Sequence, residues 1–117
     1  MGARTFEELR AWQLAAELSD RVVELCATPA LQYDFRFRDQ LRQAADSAPA
    51  LISEGFGRWG HREFKRYLVM AKAEVMEVKN ALLALKRRQK VAPEILWEQL
   101  ELAERTIKTI EKLRSSL

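Results

Sequence analysis

The chain is written in the period of helices. Phe64, Leu68, Ala71, Val75, Val78, Leu82 and Leu85 alternate by four and three without interruption, the spacing that keeps one helical face buried. Leu41, Ala44, Ala45, Ala48, Leu51, Ile52 and Phe56 repeat the pattern upstream, and Leu96, Leu100, Ala103, Ile107 and Ile110 repeat it downstream. Near the start, Leu9, Trp12, Ala16, Ser19, Val23 and Cys26 run beside a second stripe of Leu14, Leu18, Val22 and Leu25. Two stripes mean contact with more than one neighbour. These seams predict four antiparallel helices over 6–27, 35–56, 61–89 and 93–115, an all-α fold with no sheet.

The expected boundaries have physical causes. Thr5-Phe6-Glu7-Glu8 fits a capping box that starts the first helix at Thr5. Asp34 is placed to cap the second helix, and Pro93 is a favoured first-turn residue for the fourth. Pro49 lies inside the second helix, where it removes a backbone N–H and crowds the carbonyl of Ala45, so a kink is expected there. Ser47 and Ser53 flank it and are placed to satisfy freed backbone groups. Gly55 and Gly57 are expected to end this helix in left-handed conformations. Val69, Met76 and Leu83 recur every seven residues beside the third seam, a wider apolar face than one bundle needs.

Composition narrows the picture. At 117 residues, with 48% hydrophobic and 32% charged side chains, the chain is expected to be a single domain over 1–117 with one modest core. Cys26 is the only cysteine, so it has no internal disulfide partner and is expected as a core thiol. There is no run of ~18 apolar residues for a membrane span and no signal-peptide stretch, so a cytoplasmic bacterial protein without membrane attachment is expected. His61, the sole histidine, has no companion ligands arranged for it, and no Glu-x-x-His pair or phosphate-binding loop is present. No catalytic residue, metal site or cofactor is expected, and the chain does not read as an enzyme.

Charge adds a candidate surface. The net charge is only +3, yet basic residues cluster. Arg58, Arg62, Lys65 and Arg66 fall within about two helical turns. Arg36, Arg38 and Arg42 lie earlier on the second helix, and Lys86, Arg87, Arg88 and Lys90 end the third. A local positive field of this kind suits phosphate, and arginine's planar fork donates two parallel hydrogen bonds to it. The bland reading is an ordinary solvated helix face. Trp59 suits stacking on a base or plugging the bundle end, and the same two readings apply to Phe35 and Phe37 among their arginines. Glu54, beside Arg58 and Arg62, is placed to form an ion pair of small energy.

Gln40-Leu41-Arg42-Gln43-Ala44-Ala45, then Ser47, Pro49 and Ile52, then Glu54-Gly55-Phe56-Gly57-Arg58 resemble the signature of the small bacterial 23S rRNA intervening-sequence family. Phe6-Glu7-Glu8-Leu9 with Trp12, Gln13 and Ala15 is similar to that family's opening helix, and Phe64, Tyr67, Leu68, Ala71 and Glu77 to its third. The resemblance implies an up-down four-helix bundle that assembles as a ring, a homopentamer, with a basic surface. It implies nucleic-acid binding, to structured RNA; the charge clusters place that binding on Arg58, Arg62, Lys65 and Arg66, with Arg36, Arg38 and Arg42 as a second contributor. The alternative it implies is an assembly module whose partner is a protein, such as a reverse transcriptase, because a related basic bundle is the accessory protein of diversity-generating retroelements.

Overall fold

The computed structural model describes residues 2–58 and 60–117. Among them are four helices and no strand: α1 (Arg10–Cys26), α2 (Phe35–Phe56), α3 (His61–Arg87) and α4 (Pro93–Ser115). Helices α1 and α2, α2 and α3, α3 and α4, and α4 and α1 pack against each other in a closed cycle, within an envelope of 43 × 22 × 19 Å.

The α3 seam is buried at all seven positions expected, with Leu68, Ala71, Val75, Val78 and Leu82 fully inaccessible. In α1 the second stripe forms the core: Leu14, Leu18, Val22 and Leu25 are buried together with Ala11 and Ala15, whereas Val23 is 41% exposed. In α4, Leu102 is buried although it lies off the expected seam, and Gln99 and Thr106 go inside with it. The Thr106 hydroxyl donates to the Leu102 carbonyl at 2.7 Å, so its burial carries little penalty. Cys26 is a core thiol, 3.9 Å from the Arg38 carbonyl, and burial pushes its pKa up.

Several termini differ from the sequence reading. The first helix does not run unbroken from residue 6. Phe6–Glu8 is a 3-10 turn, and Leu9 is extended (φ −74°, ψ 124°) before α1 begins at Arg10. The break turns Leu9 into the core and sets Phe6 edge-on to Trp12, ring centroids 5.2 Å apart. The Gln13 side-chain amide donates to the Glu7 carbonyl at 2.9 Å, satisfying a group that the break frees. Glu8 reaches back as the capping box requires, accepting from the Thr5 and Arg4 N–H groups at 2.9 and 3.0 Å, which holds its carboxyl below its ordinary pKa. Asp34 stands at the start of α2, but its side chain makes no capping bond; its carbonyl accepts the Arg38 N–H at 2.9 Å.

The glycines also depart from expectation. Gly55 is helical and buried inside α2, and Gly57 ends the helix with φ −77°. Neither is left-handed; that conformation belongs to Gly60, at φ 86°, just before α3. Gly55 is there for closeness, since a Cβ on it would sit 2.5 Å from the Cβ of Tyr67. Helix α2 passes through Pro49 without interruption. Ser47 donates to the Gln43 carbonyl at 2.8 Å and Ser53 to that of Ala50 at 2.9 Å, so neither takes the Ala45 carbonyl that Pro49 leaves without its N–H donor.

At the far end of α3, the Lys90 N–H bonds the Leu85 carbonyl at 3.0 Å and Gln89 adopts φ 55°. This is a left-handed helix stop with glutamine where glycine is preferred. The left-handed region costs a side-chain-bearing residue roughly 1–2 kcal/mol, partly returned because glutamine restricts the unfolded chain. Gln89→Gly is expected to stabilise the fold by up to about 1 kcal/mol, read as a higher urea midpoint with an unchanged slope.

Candidate nucleic-acid interface

The hairpin between α2 and α3 is set by the contact at Gly55. With no side chain there, α3 comes in until Tyr67 rests on the α2 backbone. Phe56 and Phe64 then meet edge-to-face, centroids 5.9 Å apart at 83°. Tyr67 is 6% exposed, and its ring carries two guanidinium groups, Arg58 at 5.1 Å and Arg66 at 5.0 Å from the centroid. Such contacts fix arginine heads that would otherwise sample many rotamers.

The cations of the hairpin are not equivalent. Arg66 is held by Glu63 through two hydrogen bonds of 3.2 Å, Nε to Oε1 and Nη2 to Oε2. Arg58 lies 3.8 Å from Glu54, the exposed pair expected, of small energy. Arg62 and Lys65 are exposed and have no carboxylate within ion-pair distance among the described residues. Glu63 reports the resulting field. Its carboxyl is held below the usual range first by the Arg66 hydrogen bond, then by the charges of Arg66, Arg58 and Arg62. Arg62, Lys65 and Arg66 line one shallow concavity with Glu63 and Val69.

The backbone adds to this field. Gly60 has no side chain to cap α3, and among the described residues no side-chain hydrogen bond caps it. Uncapped N–H groups carry the positive end of the helix dipole. Arg62, in the first turn beside Glu63, therefore sits where the dipole disfavours a cation by roughly 0.3–1 kcal/mol. Cations placed against that preference concentrate positive potential at one helix end, an arrangement suited to an anion.

The other basic residues lie elsewhere. Arg36, Arg38 and Arg42 are at the opposite end of α2, Arg42 sixteen residues from Arg58, or ~24 Å along the helix. Between them, Phe37 and Gln40 line a groove with Arg87 and Arg88 at the end of α3, while Arg42 lines a separate depression with Asp39 and Asp46. Arg38 is occupied, with Nη1 3.2 Å from the Gln32 carbonyl, Nε 3.4 Å from Asp39, and the guanidinium 4.9 Å from the Phe35 ring centre. It ties the loop between α1 and α2 to the helix. Phe37 packs on the core, and Phe35 is 57% exposed. The reading of Trp59 lies outside the described residues.

Two features here were not read from sequence. Glu63 as the clamp of Arg66 had a legible signal, the three-residue spacing that places side chains together on a helix. Tyr67 as a platform had none, since its placement depends on how closely α2 and α3 approach. His61 is exposed at the first position of α3. Among the described residues, no three His, Cys, Asp or Glu side chains gather as a metal-binding set, and no helix is long and apolar enough to cross a membrane.

No curated protein matches the chain. A family model described as 23S rRNA-intervening sequence protein matches residues 7–112, which takes in the α2–α3 hairpin and all but the last turn of α4. The chain belongs to the family of 23S rRNA-intervening sequence proteins.

Proposed function

We propose that this is a non-enzymatic, oligomeric protein that binds structured RNA through the hairpin end of α3. The observation that carries this reading is the pair of exposed, uncompensated cations Arg62 and Lys65 at an uncapped helix start, flanked by Arg58 and Arg66 on the Tyr67 ring. Family membership supports an association with rRNA. Arg36, Arg38 and Arg42 form a separate, secondary contact at the other end of α2.

The scaffold in this reading is a single-domain, up-down bundle with α2 bent at Pro49. Cross-helix pairs support the alternation. Lys72 meets Glu111 and Lys79 meets Glu104, so the partner's number falls as the α3 number rises. Ser19 with Asp46 and Cys26 with Arg38 follow the same rule between α1 and α2. Val69, Met76 and Leu83 remain 51%, 47% and 38% exposed, which supports a further copy covering them in a homopentameric ring. The protein works in the cytoplasm and needs no cofactor.

The test is fluorescence anisotropy with a labelled RNA stem-loop across a salt series from ~50 to ~200 mM. Contacts to phosphate release counterions, so log K falls linearly with log salt. Binding that ignores salt, or no binding at the low end, overturns the reading and leaves the protein-partner alternative.

A further inference from the structure

We infer that the groove between α2 and α3 is the seat for the α4 ridge of a second copy, docked side by side with both copies pointing the same way. The inference rests on the oligomeric reading above and names the two surfaces that would meet. The groove encloses about 860 Å³. Its floor includes the small side chains Ala44 and Ala84, both 7% exposed, beside Leu41, which leaves room for a large side chain between the helices. In the closed cycle of helices, the α2–α3 face and the α1–α4 face lie on opposite sides of the molecule. The α1–α4 face carries Trp97, 63% exposed at the rim of a valley shared with Glu98 and Arg105. A protruding tryptophan opposite an alanine-floored groove is the kind of anchor that dominates interfaces.

Charge sets the register. The groove has carboxylates at its middle, Glu74 and Glu77, and cations at one end, Arg87 and Arg88. The Glu74 carboxyl is pushed up by burial and by Glu77, and an incoming cation would offset the repulsion between the two carboxylates. The α4 ridge offers the complement, with acidic Glu98 early and basic Lys108 later. Glu77 to Arg87 spans ten residues, and so does Glu98 to Lys108, in each case ~15 Å of helix. Setting Glu98 against Arg87 and Lys108 against Glu77 lays the incoming α4 antiparallel to α3 and brings Trp97 to the Ala84–Arg88 end of the groove.

That orientation has a geometric meaning. In the up-down reading, α3 and α4 of one copy are already antiparallel. An α4 from the next copy that is also antiparallel to α3 belongs to a copy pointing the same way. Copies related by rotation about an axis along the bundle all point the same way, and a contact between unlike faces closes into a ring where the rotation between neighbours completes a turn. The docked α4 ends opposite Val69 and Met70, so Arg62, Lys65 and Arg66 lie beyond it and stay open.

The test uses mass and no nucleic acid. Glu77→Arg disables the groove, and Trp97→Glu disables the ridge; both positions are exposed. In sedimentation velocity the wild type is expected as the assembly and each variant as a monomer. An equimolar mixture of the two is expected to form a species of twice the 13.6 kDa chain mass and to stop there, because it has one intact groove and one intact ridge. Either variant alone keeping the wild-type mass, or a mixture that stays monomeric while both variants keep wild-type helicity, overturns the inference. If a variant loses helicity, a chain carrying Arg87→Cys and Glu98→Cys decides. Oxidation must then yield covalent multimers, and none forming overturns it; Cys26, 3% exposed, stays out of the reaction. A wild type that is monomeric defeats the oligomeric reading itself. An assembled wild type whose variants fail these tests defeats only the choice of surfaces.

Discussion

Alanine at Gly55 is expected to destabilise the protein by about 2 kcal/mol, whereas alanine at Gly57, two residues later, is expected to stabilise it by about 0.5–1 kcal/mol. Both glycines have right-handed backbone, so helix propensity favours alanine at each by up to about 1 kcal/mol. The difference is space. At Gly57 the nearest atom to a new Cβ is the Glu54 carbonyl oxygen at 3.6 Å, an ordinary contact. At Gly55 it is the Tyr67 Cβ at 2.5 Å. Neither atom can move by a side-chain rotation, because each is bonded directly to a backbone carbon. Helices α2 and α3 would have to separate, loosening the Phe56–Phe64 contact and the Tyr67 platform. Overpacking of this kind costs typically about 1–3 kcal/mol. Urea unfolding of both variants checks the prediction, and equal shifts of the same sign would refute it.

Replacing Arg62 and Lys65 together by glutamate is expected to cut RNA affinity at least about tenfold at ~0.1 M salt, and to flatten the salt dependence. Each phosphate contact contributes roughly 0.7–0.9 to the slope of log K against log salt, so losing two should lower it by ~1.5. Stability should hold within about 0.5 kcal/mol, since exposed substitutions rarely do more. Glutamate in the first turns of α3 also agrees with the helix dipole better than the native cations do, so weakened binding could not be blamed on a damaged fold. The comparison variant is Arg66→Glu. Arg66 is already committed to Glu63 by two 3.2 Å hydrogen bonds and should contribute less. If the double variant binds with unchanged affinity and slope, the hairpin end is not the site.

The sequence disclosed the α3 seam completely, because a four-and-three alternation over seven positions has one structural meaning. It disclosed less wherever the answer depends on a second element. Gly55 and Gly57 look alike in the sequence, and only the distance to Tyr67 separates a close-approach glycine from a helix-end glycine. Leu102 fell off the expected stripe because α4 also buries Gln99 and Thr106, and polar residues do not register in an apolar pattern. At the candidate site, the clustering of Arg58, Arg62, Lys65 and Arg66 was legible, but not which of them are free. The meeting of Phe37 and Gln40 with Arg87 and Arg88 was invisible, since the start of α2 and the end of α3 are about fifty residues apart and meet only through the fold.

That Arg62 and Lys65 are the uncommitted cations of the hairpin end, among the described residues, has a consequence for affinity. Two phosphate contacts give a single chain a weak and fleeting grip at physiological salt. Copies lying side by side in the same direction, as inferred for the assembly, would bring every hairpin end to one pole. Each contact after the first is then made at the effective concentration set by the spacing of the patches, and the gain can reach about 10²–10⁴ with no new chemistry. Such binding is selective for length and shape. A short oligonucleotide reaches one patch and dissociates, while a folded RNA broad enough to touch several is retained, so discrimination would come from the valence of the pole, with no base read by any single side chain.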